Sequence, residues 1–304
     1  MITTTRHTTR ILVTGANGLL GQKLLKLLQH QSGVDLIGTT RSGVQLPYRA
    51  SYARLDITNA NEVSHFIHSV RPQIVIHTAA MTQVDECELN QDACWRVNAD
   101  AVRYLTSACS GLECYFLYLS TDFVFSGAFG PLHEDDEPAP INFYGRSKLA
   151  GEQIVTASGL PFGIVRTALV YGVTHDQVRT NIVLWVKRSL EQGKVIHVVN
   201  DQWRTPTLAE DLAEGCWRAA SVRATGTFHV SGSEVLSPYQ IALRTAEYFQ
   251  LDSSLIRPVD SEALHQAARR PPRTGFVIEK ARQQLGYEPR TFAEGLALIA
   301  EQLQ

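Results

Sequence analysis

The tightest constraint on the fold of this chain is a set of spaced glycines between two periodic segments. Residues 10–14, Arg-Ile-Leu-Val-Thr, have the length and apolar content of a buried strand. Gly15-Ala-Asn-Gly18-Leu-Leu-Gly21 follows without a break, and residues 22–29 then carry leucines at helical spacing. In such a strand–turn–helix unit the first glycine permits the tight turn and the second lets backbone approach a pyrophosphate. The third lets helix and strand pack closely. Unpaired N–H groups at the amino end of the helix then face the phosphates. The stretch predicts a dinucleotide site at the first βα turn.

Further βα units extend the pattern. Residues 34–39 read as a second strand, 52–57 as a short third and 73–77 as a fourth. Thr58 or Asn59 caps a helix that runs through Val70 and stops before Pro72. Asn90 is expected to cap a helix reaching about Cys109, with Asn98 inside it. The apolar run 114–119 is a buried central strand, and 162–166 begins another that ends at Val170-Tyr171-Gly172. The alternation predicts an α/β fold, a doubly wound parallel sheet of the Rossmann type. Beyond it come a helix near 181–192, a strand at 194–198, another at 227–230, a helix opened by Ser237-Pro238, and helices near 279–285 and 292–303. These predict a smaller, interleaved α/β substrate-binding lid. The dinucleotide domain is expected over 1–170 plus about 199–230, and the lid over about 171–198 plus 231–304.

The end of the second strand distinguishes between dinucleotides. An acid about 20 residues past the first glycine suits a free ribose 2′-hydroxyl. Asp35 has that count but falls at the strand's start, whereas Thr39, Thr40, Arg41 and Ser42 occupy its end. A cation among hydroxyls suits a 2′-phosphate, so NADPH is preferred, with NADH as the alternative. His77 reads as a satisfied core histidine rather than a ligand.

A second constellation carries the chemistry. Ser120-Thr121-Asp122 sits at the carboxyl end of the central strand, where open α/β sheets place their ligands. Tyr144 and Lys148 are four residues apart, on one face of a helix. Of the ten tyrosines, only Tyr144 has a lysine at that spacing, which singles it out. An ammonium beside a phenol favours the phenolate, bringing proton exchange nearer neutrality, and the Thr121 hydroxyl is placed to hold a substrate oxygen.

Composition narrows the remaining options. The chain has 304 residues, 44% of them hydrophobic, enough for one large domain or two smaller ones. A net charge of −2 without a basic block argues against nucleic acid as a partner. The first ten residues are Thr-rich with Arg6 and Arg10 but lack the apolar centre of a signal peptide, and no apolar run reaches membrane-spanning length. These features predict a soluble, cytoplasmic protein without a membrane partner. Five cysteines without Cys-x-x-Cys pairing read as small buried hydrophobes, and no metal site is expected.

Together, the glycine motif, Ser120-Thr-Asp122 and Tyr144-x-x-x-Lys148 resemble the extended short-chain dehydrogenase/reductases. Within that group, residues 79–85, 120–127, 134–140, 144–152 and 201–207 are similar to the dTDP-4-dehydrorhamnose reductases, and the likeness runs from residue 10 to beyond 290, including Arg270-Pro-Pro-Arg-Thr274. The resemblance implies NADPH-dependent reduction of the C4 ketone of a nucleotide-linked 4-keto-6-deoxysugar. It implies Tyr144 as general acid, Lys148 as the group that lowers its pKa and binds the nicotinamide ribose, and Thr121 as the donor to the carbonyl oxygen. The implied cofactor residues are Gly15, Asn17, Gly18, Leu19, Leu20, Gly21, Arg41, Asp56, Ile57, Ala79, Ala80 and Asn98, besides Tyr144 and Lys148. Those for the nucleotide-sugar substrate are Thr82, Thr121, Asp122, Phe123, Leu169 and Arg204, with Arg204, Arg270 or Arg273 meeting its diphosphate. A homodimer is compatible with the pattern. The sequence departs from the reductases at Phe123, Leu169 and Arg204, where they usually carry tyrosine, tryptophan and glycine. Phe123 stands where dehydratases need an acid, which argues against dehydration. Epimerases share the Tyr/Lys pair, and the non-catalytic β regulatory subunit of methionine adenosyltransferase shares much of the pattern.

Overall fold

The computed structural model describes residues 8–177 and 180–304; the reading of the Thr-rich opening with Arg6 lies outside the described residues. The first half alternates strand and helix as β1 (Thr9–Thr14), α1 (Leu19–Leu28), β2 (Val34–Thr40), β3 (Ser51–Arg54), α2 (Ala60–Val70) and β4 (Ile74–His77). After it come α3 (Val84–Leu89), α4 (Gln91–Trp95), a π-helical turn (Arg96–Asp100), α5 (Ala101–Cys109), β5 (Tyr115–Thr121), α6 (Phe143–Ala157) and β6 (Phe162–Thr167). The second half holds β7 (Val170–Tyr171), α7 (Ile182–Glu191), β8 (Ile196–Val199), β9 (Thr207–Leu208), α8 (Ala209–Ser221) and β10 (Gly226–His229). It ends with α9 (Pro238–Tyr248), β11 (Ile256–Val259), α10 (Glu279–Leu285) and α11 (Phe292–Gln302).

Among the described residues, the main sheet has seven strands in the order β10-β6-β5-β4-β1-β2-β3, with every neighbouring pair parallel. Chain order reverses between β1 and β4, which opens a crevice at their carboxyl ends. All seven residues of β5 are buried, as expected of a strand covered on both faces. One apolar layer packs α1, α8 and α10 on the sheet through Leu24, Leu28, Leu212, Ala219 and Leu285. The other packs α2, α5 and α6 through Val63, Ile67, Leu105 and Val155. Fully burying a leucine or valine stabilises by roughly 1.5–3 kcal/mol, so these two layers fix the crevice rigidly. A second body is built from β8, β11, α7 and α9 around Val186, Val198, Ala242 and Ile256. Residues 276–287 lie late in the chain yet pack into the first layer, through Phe276, Ile278 and Tyr287.

Three elements differ from the sequence reading. The strand that begins at 162 does not continue to Gly172: β6 stops at Thr167, and Leu169 takes a left-handed φ of 41°. That turn redirects Val170–Tyr171 into a separate pair with Thr207–Leu208. The helix expected from Asn90 is broken by the π turn, and the Asn90 side chain makes no cap. The third strand is shorter, because Asp56 is drawn off into a turn by Thr58. Elsewhere local chemistry decided well: Asn59 caps α2, and Ser237 with Gln240 forms a capping box behind Pro238. All five cysteines are buried and unpaired as disulfides.

Candidate active site

The crevice opens into a cleft of about 1280 Å³. Its floor is the glycine turn. Gly15 has φ +69°, and a Cβ there would lie 2.8 Å from Ala79 backbone atoms, so only glycine lets the β1 turn nest against the loop after β4. At Gly21 a Cβ would fall 2.3 Å from the Gly15 carbonyl oxygen, so glycine sets the approach of α1 to the turn. Gly18 caps α1 with no side-chain hydrogen bond, leaving the first N–H groups of a ten-residue helix directed at the cleft. Ala79 and Ala80 form a low wall opposite. At the far end Asp56 accepts from the Thr58 backbone N–H and hydroxyl at 2.9 and 2.7 Å. Those hydrogen bonds hold its carboxyl below the usual range, with Arg41 and Arg54 adding to the effect.

The other end holds the reactive groups. Ser120 and Thr121 are the last residues of β5, and Tyr144 and Lys148 reach in from α6. Thr121 and Tyr144 both line the cleft. Burial raises the phenol's pKa, partly offset by Thr121, while the Asp122 charge adds to the rise. Lys148 is buried, its Nζ 4.1 Å from the Tyr118 ring centroid, and burial pushes its pKa down to about 7, against the opposing pull of Glu152. Burial thus favours the protonated phenol at Tyr144 and the neutral amine at Lys148. A bound anion shifts Lys148 toward its charged form.

All the residues named from sequence for cofactor and substrate line this one cleft, except Asn98 and Arg273. Asn98 sits in the π turn, where its side chain bonds Met81 N at 2.9 Å, Met81 O at 3.0 Å and Ser147 Oγ at 3.0 Å. It acts as a brace for the loop after β4 instead of a cofactor contact. Two substrate expectations also change. Asp122 is buried, and its carboxylate accepts from Thr121 and Thr274 and pairs with Arg204. Arg204 is 4% exposed, and its N–H groups are taken up by Asp122, Gln202 and the carbonyls of Trp203 and Pro271. It is a strut, not a free diphosphate ligand. Arg270 lines the cleft but forms a bidentate pair with Asp85 at 2.5 and 2.6 Å, and Arg273 is exposed outside the lining. Phe123 stands edge-on to Tyr144, with centroids 5.9 Å apart.

His77 is buried, as read, but only half satisfied. Its Nδ1 pairs with Thr14 Oγ1 at 2.7 Å, and its other nitrogen has no protein partner among the described residues. Burial holds the ring neutral, its pKa pushed down to about 3.

The cleft fits a polar occupant. Thr40, Ser120 and Thr174 each present a buried hydroxyl oxygen without a protein partner among the described residues, and all three line it. Buried hydroxyls are normally paired, so an occupant rich in donors and acceptors matches them. Thr174 and Glu86 were not signalled by the sequence, for they follow no motif and reach the cleft only through the fold.

Glycine cradle, crevice at the switch point and Tyr/Lys pair together define an extended short-chain dehydrogenase/reductase fold. The model of the RmlD substrate binding domain matches residues 9–304, and the chain belongs to that family. It is 33% identical over 287 residues to methionine adenosyltransferase 2 subunit beta of Pongo abelii, covering 93% of this chain and 84% of that protein. Among solved structures, the dTDP-4-dehydrorhamnose reductase of Bacillus anthracis, in complex with NADP, superposes with a TM-score of 0.84 at 31% identity, over 97% of this chain and 99% of that one. The Clostridium acetobutylicum dTDP-4-dehydrorhamnose reductase gives 0.88 at 32% identity, over 97% and 100%.

Proposed function

We propose that this chain is an NADPH-dependent reductase of a nucleotide-linked 4-keto-6-deoxysugar, with dTDP-4-dehydrorhamnose as the favoured substrate. The observation that carries the reading is that Thr121, Tyr144 and Lys148 converge in one cleft with the glycine cradle. NADP in the B. anthracis relative supports the cofactor, and Arg41 beside the orphaned Thr40 hydroxyl supports a 2′-phosphate.

When bound, the reduced nicotinamide supplies a hydride to the ketone carbon. Tyr144 then donates its phenolic proton to the developing alkoxide oxygen. Burial keeps the phenol protonated, the form that can donate, and a charged Lys148 draws its pKa back toward the range where proton transfer is efficient. Lys148 becomes charged beside the cofactor's anionic groups and stabilises the phenolate left behind. Ala79 and Ala80 keep the wall opposite the glycine turn low, and Phe123 shields the phenol from water. Positioned acid–base catalysis contributes about 10²–10⁴-fold, so holding the ketone in contact supplies much of the rest.

A second reading, a cofactor-binding regulatory subunit, rests on the identity to the methionine adenosyltransferase subunit. NADPH oxidation followed by absorbance with a panel of nucleotide 4-ketosugars separates the two. Turnover of dTDP-4-dehydrorhamnose supports the reductase; tight NADPH binding without turnover of any ketosugar, together with co-purification of a methionine adenosyltransferase catalytic chain, supports the subunit.

A further inference from the structure

Reduction needs a charged Lys148, yet the fold gives that charge no carboxylate of its own. Lys148 is 3% exposed. Among the described residues it forms no ion pair. Glu152, one turn further along α6, is committed to Arg166 at 2.9 and 2.7 Å. What lies against the ammonium is an aromatic face: Nζ is 4.1 Å from the centroid of the Tyr118 ring.

Tyr118 stands in the middle of β5, fully buried in the layer that joins the sheet to α5 and α6. Strand alternation puts it on the opposite face from Leu119 and Thr121. Three contacts hold the ring in place. Its hydroxyl donates to the Asn98 carbonyl in the π turn at 3.5 Å and to the carbonyl of Lys148 itself at 3.4 Å. Its partner across the sheet is His77 of β4, whose ring stacks beside it with centroids 5.9 Å apart and planes 19° from parallel. Gly151 completes the seat. A Cβ there would lie 2.1 Å from the Tyr118 hydroxyl oxygen and 3.0 Å from the Asn98 carbonyl oxygen, so only glycine lets α6 close down on the phenol.

A cation within about 6 Å of a ring centroid is attracted by the negative face of the π-system, most strongly where water is excluded. The ring therefore opposes the burial that favours the neutral amine. It does so without a negative charge. A carboxylate in the same place would disfavour the phenolate that forms on Tyr144, whereas a neutral ring does not.

We propose that Tyr118 is a positioning residue for the reduction: its ring face seats the Lys148 ammonium and keeps it charged beside Tyr144. The catalytic consequence rests on the reductase reading, while the contact with Lys148 stands on geometry alone. The other titratable groups that act on Lys148 are Glu152 on α6, Cys94 on α4 and Cys87 on α3. His77, from β4, is held neutral by burial, its pKa pushed down to about 3, and adds no competing cation.

The test varies the electrostatics of the ring at nearly constant shape. Tyr118→Phe in the full chain is the reference, and mono-, di- and trifluorinated phenylalanine then replace it at the same residue, each fluorine draining charge from the face. None of the neighbouring titratable groups changes, so a shift that follows the fluorines belongs to the ring. With lysine labelled by carbon-13 at Cε, the Lys148 signal is the one of six that Lys148→Met removes. Its Cε protons should be shifted upfield by the ring beneath them. Successive fluorines should lower the pH at which it titrates, by about 1 pH unit over the whole series, a tenfold change in charge preference.

Turnover supplies a second readout. With NADPH and dTDP-4-dehydrorhamnose, the alkaline limb of kcat should move to lower pH by the same amount, while kcat on the acid side, where every member carries a charged Lys148, stays level. If wild type reduces no ketosugar, the reductase reading fails and the lysine titration decides the contact by itself. A Lys148 midpoint that ignores the fluorines, or a kcat that falls equally at every pH, would overturn the proposal.

Discussion

Lys148 offers the most quantitative test of the site. Its pKa is pushed from 10.5 down to about 7 in the folded chain, because burial disfavours the ammonium. Between those values the unfolded chain holds a proton that the folded chain has released. Stability must therefore rise with pH across that window, by about 1.4 kcal/mol per pH unit once Lys148 is mostly neutral. From pH 7 to pH 9 the gain attributable to this side chain is about 2 kcal/mol, since at pH 7 the folded group is only half discharged. Lys148→Met keeps the length and apolar stem of the side chain but has no proton to lose. Urea unfolding of both proteins at pH 7, 8 and 9 should show the wild-type midpoint gaining on the variant by about 0.7 M, for an m-value of ~3 kcal/mol/M. Saturating NADP, whose phosphates favour the charged lysine, should shrink the difference. Parallel midpoints across the three pH values would refute the reasoning, because the lysine would then not be held in a desolvated site.

Three further outcomes follow from the geometry. Tyr144→Phe removes the proton donor and leaves the buried ring in place, so reduction should fall by about 10²–10⁴-fold in stopped NADPH-oxidation assays while cofactor affinity stays near wild type; full activity in the variant would exclude Tyr144 as the acid. Arg41→Ala should weaken NADPH by about 10–100-fold, the worth of one hydrogen bond to a charged group, and NADH far less, as measured by fluorescence titration; equal losses would reassign the 2′-phosphate site. Gly21→Ala places a Cβ 2.3 Å from the Gly15 carbonyl oxygen, where only backbone can yield, so both the thermal midpoint and NADPH binding should drop. A cost of about 1–3 kcal/mol or more is expected from such overpacking, and an unchanged midpoint would show that the turn relaxes freely.

Much of the cleft was legible because its parts are local. Gly15, Gly18 and Gly21 act within one turn, Tyr144 and Lys148 within one helical turn, and Ser120 and Thr121 at the end of one apolar run. Spacing along the chain is then spacing in three dimensions. The expectations that changed concern residues whose partners are remote. Asn98 was read from its helix, but it is committed to Met81 and Ser147, 17 and 49 residues away. Arg204 suggests a diphosphate ligand from its place in the motif, whereas the segment around Pro271, 67 residues on, buries it. Leu169 was read as part of a continuous strand, and its left-handed backbone turned the chain into a different sheet.

The amino-acid sequence by itself determined the phosphate cradle, the phenol–amine pair and the alternation that stacks helices on a parallel sheet, since each depends on periodicity or backbone freedom over a few residues. Tertiary structure alone decided which polar groups are spent on the protein and which are left for a ligand. The Thr40, Ser120 and Thr174 hydroxyls are left open, while the Asp122 carboxylate and the Arg204 guanidinium are consumed by each other and by loops far along the chain. A side chain's hydrogen-bonding capacity is fixed by its chemistry, but what remains of it depends on which neighbours folding brings within about 3 Å.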